Sequence, residues 1–115
     1  FDEMLDVNVK GTFFAIRRCL PHLEAAGGGN IVVVGSIDGV KPAPSPVHYA
    51  TSKGALVAMV QSMSKELGGA GIKVHMVAPG ILEGGISQVI PKPLLDEYLK
   101  HCALKRVGRF EEIAA

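Results

Sequence analysis

Two short β-branched runs, Ile31-Val32-Val33-Val34 and Ile72 to Ala78, stand on either side of a long helical pattern, and this order restricts the fold most. Ile31 to Val34 lacks polar alternation, so it reads as a strand covered on both faces, as in a parallel sheet. From Val47 onward Leu56, Met59, Val60, Met63 and Leu67 fall at helical spacing, and Gly68-Gly69 with Gly71 ends the run. Pro79-Gly80 breaks the second strand at once. Strand, long helix, strand is a βαβ unit, which in nearly all cases crosses over right-handed within one parallel sheet. The expected fold class is α/β.

The flanking segments add a long helix, a loose region with a short helix, and the start of one more helix. Phe1, Leu5, Val9, Phe13, Ile16, Leu20 and Leu23 recur at three- and four-residue steps, predicting a helix over about 2–24 with Pro21 as a kink or the start of a last turn. Gly27-Gly28-Gly29 stops it. The stretch from Gly35 to Pro46, with three prolines and two glycines, is a loop. Beyond Pro79-Gly80, Gly84-Gly85 and Pro91 to Pro93 bracket a segment expected to act as a flap. Leu94 to Ala103 has the spacing of a short helix, and Arg109 to Ala115 reads as a loop entering another, with acidic residues near its N-terminal end. The helical pattern is already under way at Phe1, which is unusual for a complete domain.

At 115 residues, 48% hydrophobic and 20% charged, the chain has room for one globular core and is neither a disordered tail nor a collagen-like fibre. Twelve Lys and Arg against eleven Asp and Glu give a net charge of +1 with no basic stripe, so electrostatic nucleic-acid binding has no support. The longest aliphatic run is far shorter than a membrane span, and the N-terminus shows no signal-peptide pattern. Cys19 and Cys102 stand apart, without CxxC or metal-spaced histidines, and read as reduced thiols. The expectation is a cytoplasmic protein with no metal and no membrane partner.

Tyr49 and Lys53 sit four apart at the opening of the second long helix and project from one face. An ammonium close to a phenol favours the phenolate, which makes a tyrosine usable as a general acid and base. The helix starts beside the carboxyl ends of the strands, where open parallel sheets place their ligands. Spacing alone equally describes a surface pair on an amphipathic helix. Ser36 lies just past the first strand, thirteen residues before Tyr49, where a hydroxyl can bond a substrate carbonyl, although Gly-Ser after a strand also opens ordinary loops. Asn8 places an amide in an otherwise apolar helix, or is a solvent-facing or locally bonded asparagine.

Together, Asn8-Val9-x-Gly11, Gly35-Ser36, Tyr49-Ala50-Thr51-Ser52-Lys53, Pro79-Gly80 and Arg106 to Glu112 have the order and spacing of one known family. The chain resembles the short-chain dehydrogenase/reductase family along essentially its whole length. The resemblance implies a partial Rossmann-like doubly wound parallel sheet, with two of the family's roughly seven strands present. It implies an NAD(P)-dependent oxidoreductase in which Tyr49 exchanges the proton with a carbonyl/alcohol substrate. Lys53 would lower the phenol's pKa and bond the nicotinamide ribose. Ser36 would steady the substrate oxygen, and Asn8 would hold a water joining Lys53 to solvent. Pro79, Gly80 and Leu82 would form the turn that receives the carboxamide of NAD or NADP. In the family the helices over 2–24 and 47–67 commonly pair subunits, which implies a homo-oligomer.

Two positions depart from the family pattern: His75 stands where relatives usually carry Asn, and Gly84 where a Thr commonly contacts the cofactor. Ser87 is a candidate substitute for that hydroxyl, and His48 reads as a rim residue. The family's Gly-rich phosphate turn has no counterpart here, since the triple glycine follows a helix and precedes a strand. The expected organisation is therefore the C-terminal catalytic part of one domain of about 250 residues, near the upper range for a single core, and the chain alone is expected to be an inactive fragment. The alternatives are a non-catalytic interaction module that pairs through the two long helices, and an epimerase or dehydratase sharing Tyr-x-x-x-Lys. Ser36, Tyr49, Lys53 and Asn8 occurring together speak against the first, Pro79-Gly80 and the Arg106 to Glu112 block against the second. The apolar stretches Ile37 to Pro46 and Leu82 to Cys102 suit a neutral or hydrophobic substrate.

Overall fold

The second long helix forms over Val47–Leu67, starting after Pro46, whose extended backbone cannot continue a helix backwards, and ending where glycines begin. In the computed structural model it lies between two parallel strands in chain order. The structure describes residues 1–41 and 44–115, with the side chains of Ile86 and Ser87 excepted. Phe1–Ala78 and Pro79–Ala115 form two compact units.

The first unit holds α1 (Asp2–Leu5), a π-helical turn (Asp6–Lys10), α2 (Gly11–Ala25), β1 (Gly29–Val34), α3 (Val47–Leu67) and β2 (Ile72–Val77). The strands β1 and β2 pair in parallel from Gly29 opposite Ile72 to Val34 opposite Val77, as the βαβ reading requires. Ile16, Val33, Leu56, Val60, Ile72 and Val74 are the buried core, with Leu20, Leu23, Met59, Met63 and Met76 packed around it. This core joins α2 and α3 to one face of the sheet.

Two expectations need correction. β1 is not covered on both faces by the described residues: Val32 and Val34 are each 57% exposed, and the exposed His75 lies in register with Val32. An unbroken β-branched run reports the chemistry of both faces, not how much chain lies over each. The first helix is also not one uniform stripe. The π turn holds an extra residue, marked by Gly11 N–H bonding Asp6 O, and Phe1 and Phe13 are exposed whereas Ile16 is buried.

The triple glycine is a stop signal. Gly27 N–H bonds Glu24 O at 3.0 Å and Gly28 N–H bonds Leu23 O at 2.9 Å, which satisfies the last carbonyls of α2. Gly28 has φ 128°, and a Cβ there would lie 2.6 Å from Gly71 O, so only glycine fits.

The second unit contains a 3₁₀ segment (Gly85–Val89), α4 (Lys92–Lys100) and α5 (Phe110–Ala114). A bridge between Leu82 and Gly108 ties its start to the approach of α5. Arg106 grips Glu112 with two bonds, of 3.0 and 2.7 Å, while Glu112 accepts from Arg109 N–H at 2.8 Å. These donors hold the Glu112 carboxyl down to about 2. Among the described residues no helix is long and apolar enough to cross a membrane.

Candidate active site

Tyr49 lies in the first turn of α3 and Lys53 one turn further on, both half-buried. The Lys53 ammonium is 5.9 Å from the centre of the Tyr49 ring, at the outer range of cation–π contact. Lys53 Nζ also donates to Val34 O at 3.4 Å, which brings it to the carboxyl end of β1. Burial pushes the Lys53 pKa below the usual lysine range by disfavouring its charged form.

Ser36 follows two residues after that strand end and is 9% exposed. It caps a 3₁₀ turn over Ile37–Gly39, accepting at Oγ from Asp38 N–H at 3.2 Å. A hydroxyl whose oxygen accepts from the backbone keeps its proton to donate elsewhere. The Asp38 carboxyl is pushed upward by burial.

What lets this turn lie so close to α3 is Gly39. A Cβ there would lie 2.5 Å from the carbonyl carbon of Lys53 and 2.7 Å from Gly54 N, both backbone atoms of the helix. The close approach keeps the Ser36 loop against the turn of α3 that carries Lys53. The sequence reading treated Gly39 only as one of two loop glycines.

Asn8 lies in the π turn. Its Nδ2 donates to Ser52 Oγ at 3.0 Å and to Met4 Sδ at 3.2 Å, and its backbone carbonyl accepts from Thr12 Oγ1 at 2.8 Å. Ser52 is fully buried, and its hydroxyl donates to Tyr49 O at 2.8 Å. Asn8 is thus connected to the Tyr49 turn of α3 through Ser52. The sequence reading quoted Ser52 within a motif but gave it no role.

Within the second unit, Pro79, Gly80 and Leu82 lie on the segment that follows β2. Gly108 N–H bonds Ile81 O and Glu83 N–H bonds Gly108 O, each at 2.9 Å, so the residues flanking Leu82 are tied to one glycine. Gly84, the position where the family usually has Thr, is packed by a ring: a Cβ there would lie 2.8 Å from Phe110 Cζ. The missing hydroxyl therefore coincides with an aromatic contact. The side chain of Ser87, the candidate substitute, lies outside the described residues.

The first unit thus brings an ammonium to the end of β1, near a phenol ring and the loop that carries a capped serine hydroxyl, a set of donors able to bond oxygens of a ligand. Among the described residues no cluster of three or more His, Cys, Asp or Glu could hold a metal ion.

The family model described as short chain dehydrogenase matches residues 1–94. The chain is 33% identical over 114 residues to the 3-oxoacyl-(acyl-carrier-protein) reductase FabG of Thermotoga maritima, covering 99% of this chain and 46% of that protein. It is 36% identical over 116 residues to dehydrogenase/reductase SDR family member 4 of Bos taurus, covering 99% of this chain and 42% of the relative. The chain therefore spans somewhat less than half the length of these relatives. A crystal structure of 3-oxoacyl-(acyl-carrier protein) reductase from Brucella melitensis is similar with TM-score 0.88 and 32% identity, over 98% of this chain and 44% of that one. ElxO with NADP bound is similar with TM-score 0.86 and 26% identity, over 99% and 47%. NAD+-bound xylitol dehydrogenase is similar with TM-score 0.85 and 27% identity, over 95% and 48%. The two-stranded parallel sheet and its helices thus match part of a Rossmann-like α/β fold.

Proposed function

The chain belongs to the short-chain dehydrogenase/reductase family, and on that premise we propose that it is the catalytic part of an oxidoreductase acting on a carbonyl/alcohol pair with NAD or NADP. What supports this most is one observation: Lys53, one helical turn beyond Tyr49, reaches Val34 O at the end of the strand that leads into Ser36. NAD or NADP, when bound, gives or takes the hydride.

The residues of the chain handle the proton and the orientation. The Tyr49 hydroxyl gives a proton to the carbonyl oxygen in reduction and takes one from the alcohol in oxidation. The Lys53 ammonium, close to the Tyr49 ring, offers its remaining N–H donors to the ribose hydroxyls. Because burial shifts Lys53 downward, it releases a proton more readily than an exposed lysine, as a relay group must. Ser36, accepting from Asp38 N–H, donates a hydrogen bond to the substrate oxygen and keeps its proton. Asn8, with its amide nitrogen committed to Ser52 and Met4, offers its amide oxygen to the water that joins Lys53 to solvent. Pro79, Gly80 and Leu82 form the turn for the carboxamide.

The apolar loops favour a neutral or hydrophobic small molecule as substrate. Phe13 and Phe14, edge to face at 5.4 Å and 40% and 53% exposed, together with Val7 and Val47, give both long helices apolar surface for a second copy. A cytoplasmic location follows the same reading. A pairing module without catalysis would require neither Lys53 at the strand end nor a capped Ser36.

The test is Tyr49→Phe in the protein that carries this chain. Turnover of a carbonyl panel, followed by the absorbance of the reduced nicotinamide, should fall to background while cofactor binding persists. Near-normal turnover would refute the assignment.

A further inference from the structure

The Pro79-Gly80-Ile81 turn leans on a side chain that no motif contains. Tyr98, on α4, is partly buried, and its hydroxyl accepts a hydrogen bond from Ile81 N–H at 3.2 Å. The same hydroxyl is seated against Gly80 so closely that a Cβ at that position would collide with it. Tyr98 is itself held, because its carbonyl accepts from His101 N–H at 3.1 Å and from Cys102 Sγ at 3.5 Å.

The other bonds described for this turn run through backbone. Gly108 N–H to Ile81 O and Glu83 N–H to Gly108 O both belong to main chain. Tyr98 therefore supplies a side-chain bond to the turn, and it does so from the helix of the segment read as the flap. Gly80 also gains a second meaning: it lacks a side chain because the phenol occupies that space.

Resting on the reading of Pro79, Gly80 and Leu82 as the carboxamide-receiving turn, we infer that Tyr98 is a positioning residue for the nicotinamide end of the cofactor. It fixes the direction of the Ile81 peptide, and through it Leu82, and it couples α4 to the turn. It acts through the Ile81 peptide.

Tyr98→Phe in the protein that carries this chain keeps the ring and removes the hydroxyl. A neutral hydrogen bond contributes about 0.5–1.5 kcal/mol, so the Kd of the reduced dinucleotide, read by fluorescence, should rise by roughly two- to thirteenfold. The Kd of ADP-ribose, which lacks the nicotinamide, should stay the same, and the melt should remain cooperative, with Tm lowered by no more than the loss of one neutral hydrogen bond implies. Gly80→Ala, which displaces the hydroxyl by bulk, should produce the same selective loss. An unchanged Kd for the dinucleotide in Tyr98→Phe would overturn the inference. So would equal weakening of ADP-ribose, or loss of the cooperative melt, since either would make the hydroxyl a general structural element. If the unsubstituted protein binds ADP-ribose but gains nothing from the nicotinamide, the reading of the turn fails along with the inference.

Discussion

Gly39→Ala is the substitution for which the geometry makes the sharpest demand. The added Cβ would lie 2.5 Å from Lys53 C and 2.7 Å from both Lys53 O and Gly54 N. Carbon contacts settle at about 3.5–4.0 Å, so about 1 Å must open between the Ile37–Gly39 turn and α3. The obstructing atoms are helix backbone, which cannot rotate away, and the turn must move. Overpacking of this kind costs about 1–3 kcal/mol. At about 2–4 °C per kcal/mol for a domain of 150–250 residues, Tm should fall by roughly 2–12 °C. Ser36 caps that turn and moves with it, and a displacement of about 1 Å at a reacting centre costs on the order of a hundredfold in rate. Steady-state kinetics on the protein that carries this chain should show kcat/KM down by about that factor. Gly54→Ala is the internal control. Its Cβ would meet Gly39 O at an ordinary 3.6 Å, and alanine in a helix interior is favoured over glycine by about 0.5–1 kcal/mol. Activity should be retained there with a small gain in Tm. Wild-type kcat/KM in Gly39→Ala would refute the argument that this close approach sets the Ser36 loop.

Two further outcomes are expected. Glu112 has a pKa lowered to about 2 by Arg106 and Arg109, so its pairing contributes stability that is complete above its unfolded value of 4.5 and is lost as pH falls through about 2. A carboxyl NMR titration with a midpoint in the ordinary glutamate range would contradict this. The 115-residue chain expressed alone should self-associate and lack turnover, because Val32 and Val34 are exposed on a two-stranded sheet. A soluble monomer with a sharp cooperative melt in ultracentrifugation and calorimetry would disprove it.

The parts of the fold legible in the sequence are those whose signals are local. Val47–Leu67 is helical over the residues expected, since its apolar spacing is regular and Pro46 and Gly68 flank it. The triple glycine behaves as the stop its position suggests. Tyr49 and Lys53 could be paired by helical spacing, and Ser36 lies at the expected end of β1. What could not be read depends on partners distant in sequence. Ser52 matters through Asn8, 44 residues away. Gly39 matters through the backbone at Lys53 and Gly54, and Tyr98 through Ile81, 17 residues back. Val32 looked buried because its composition was apolar, whereas its exposure depends on which elements lie over the sheet.

The π turn at Asp6–Lys10 has a consequence for how one helix can serve two neighbours. Each residue of an α-helix advances the direction of its side chain by about 100°, so one added residue shifts the phase of everything ahead of it by about that angle. The turn itself is thereby aimed at α3, where Asn8 meets Ser52, while Ile16, Leu20 and Leu23 after it stay aimed at the sheet. Removing one residue from the turn would restore a regular helix and cost it one of these two addresses. The residues ahead of the deletion would rotate by about 100°, and the core residues behind it would keep their places.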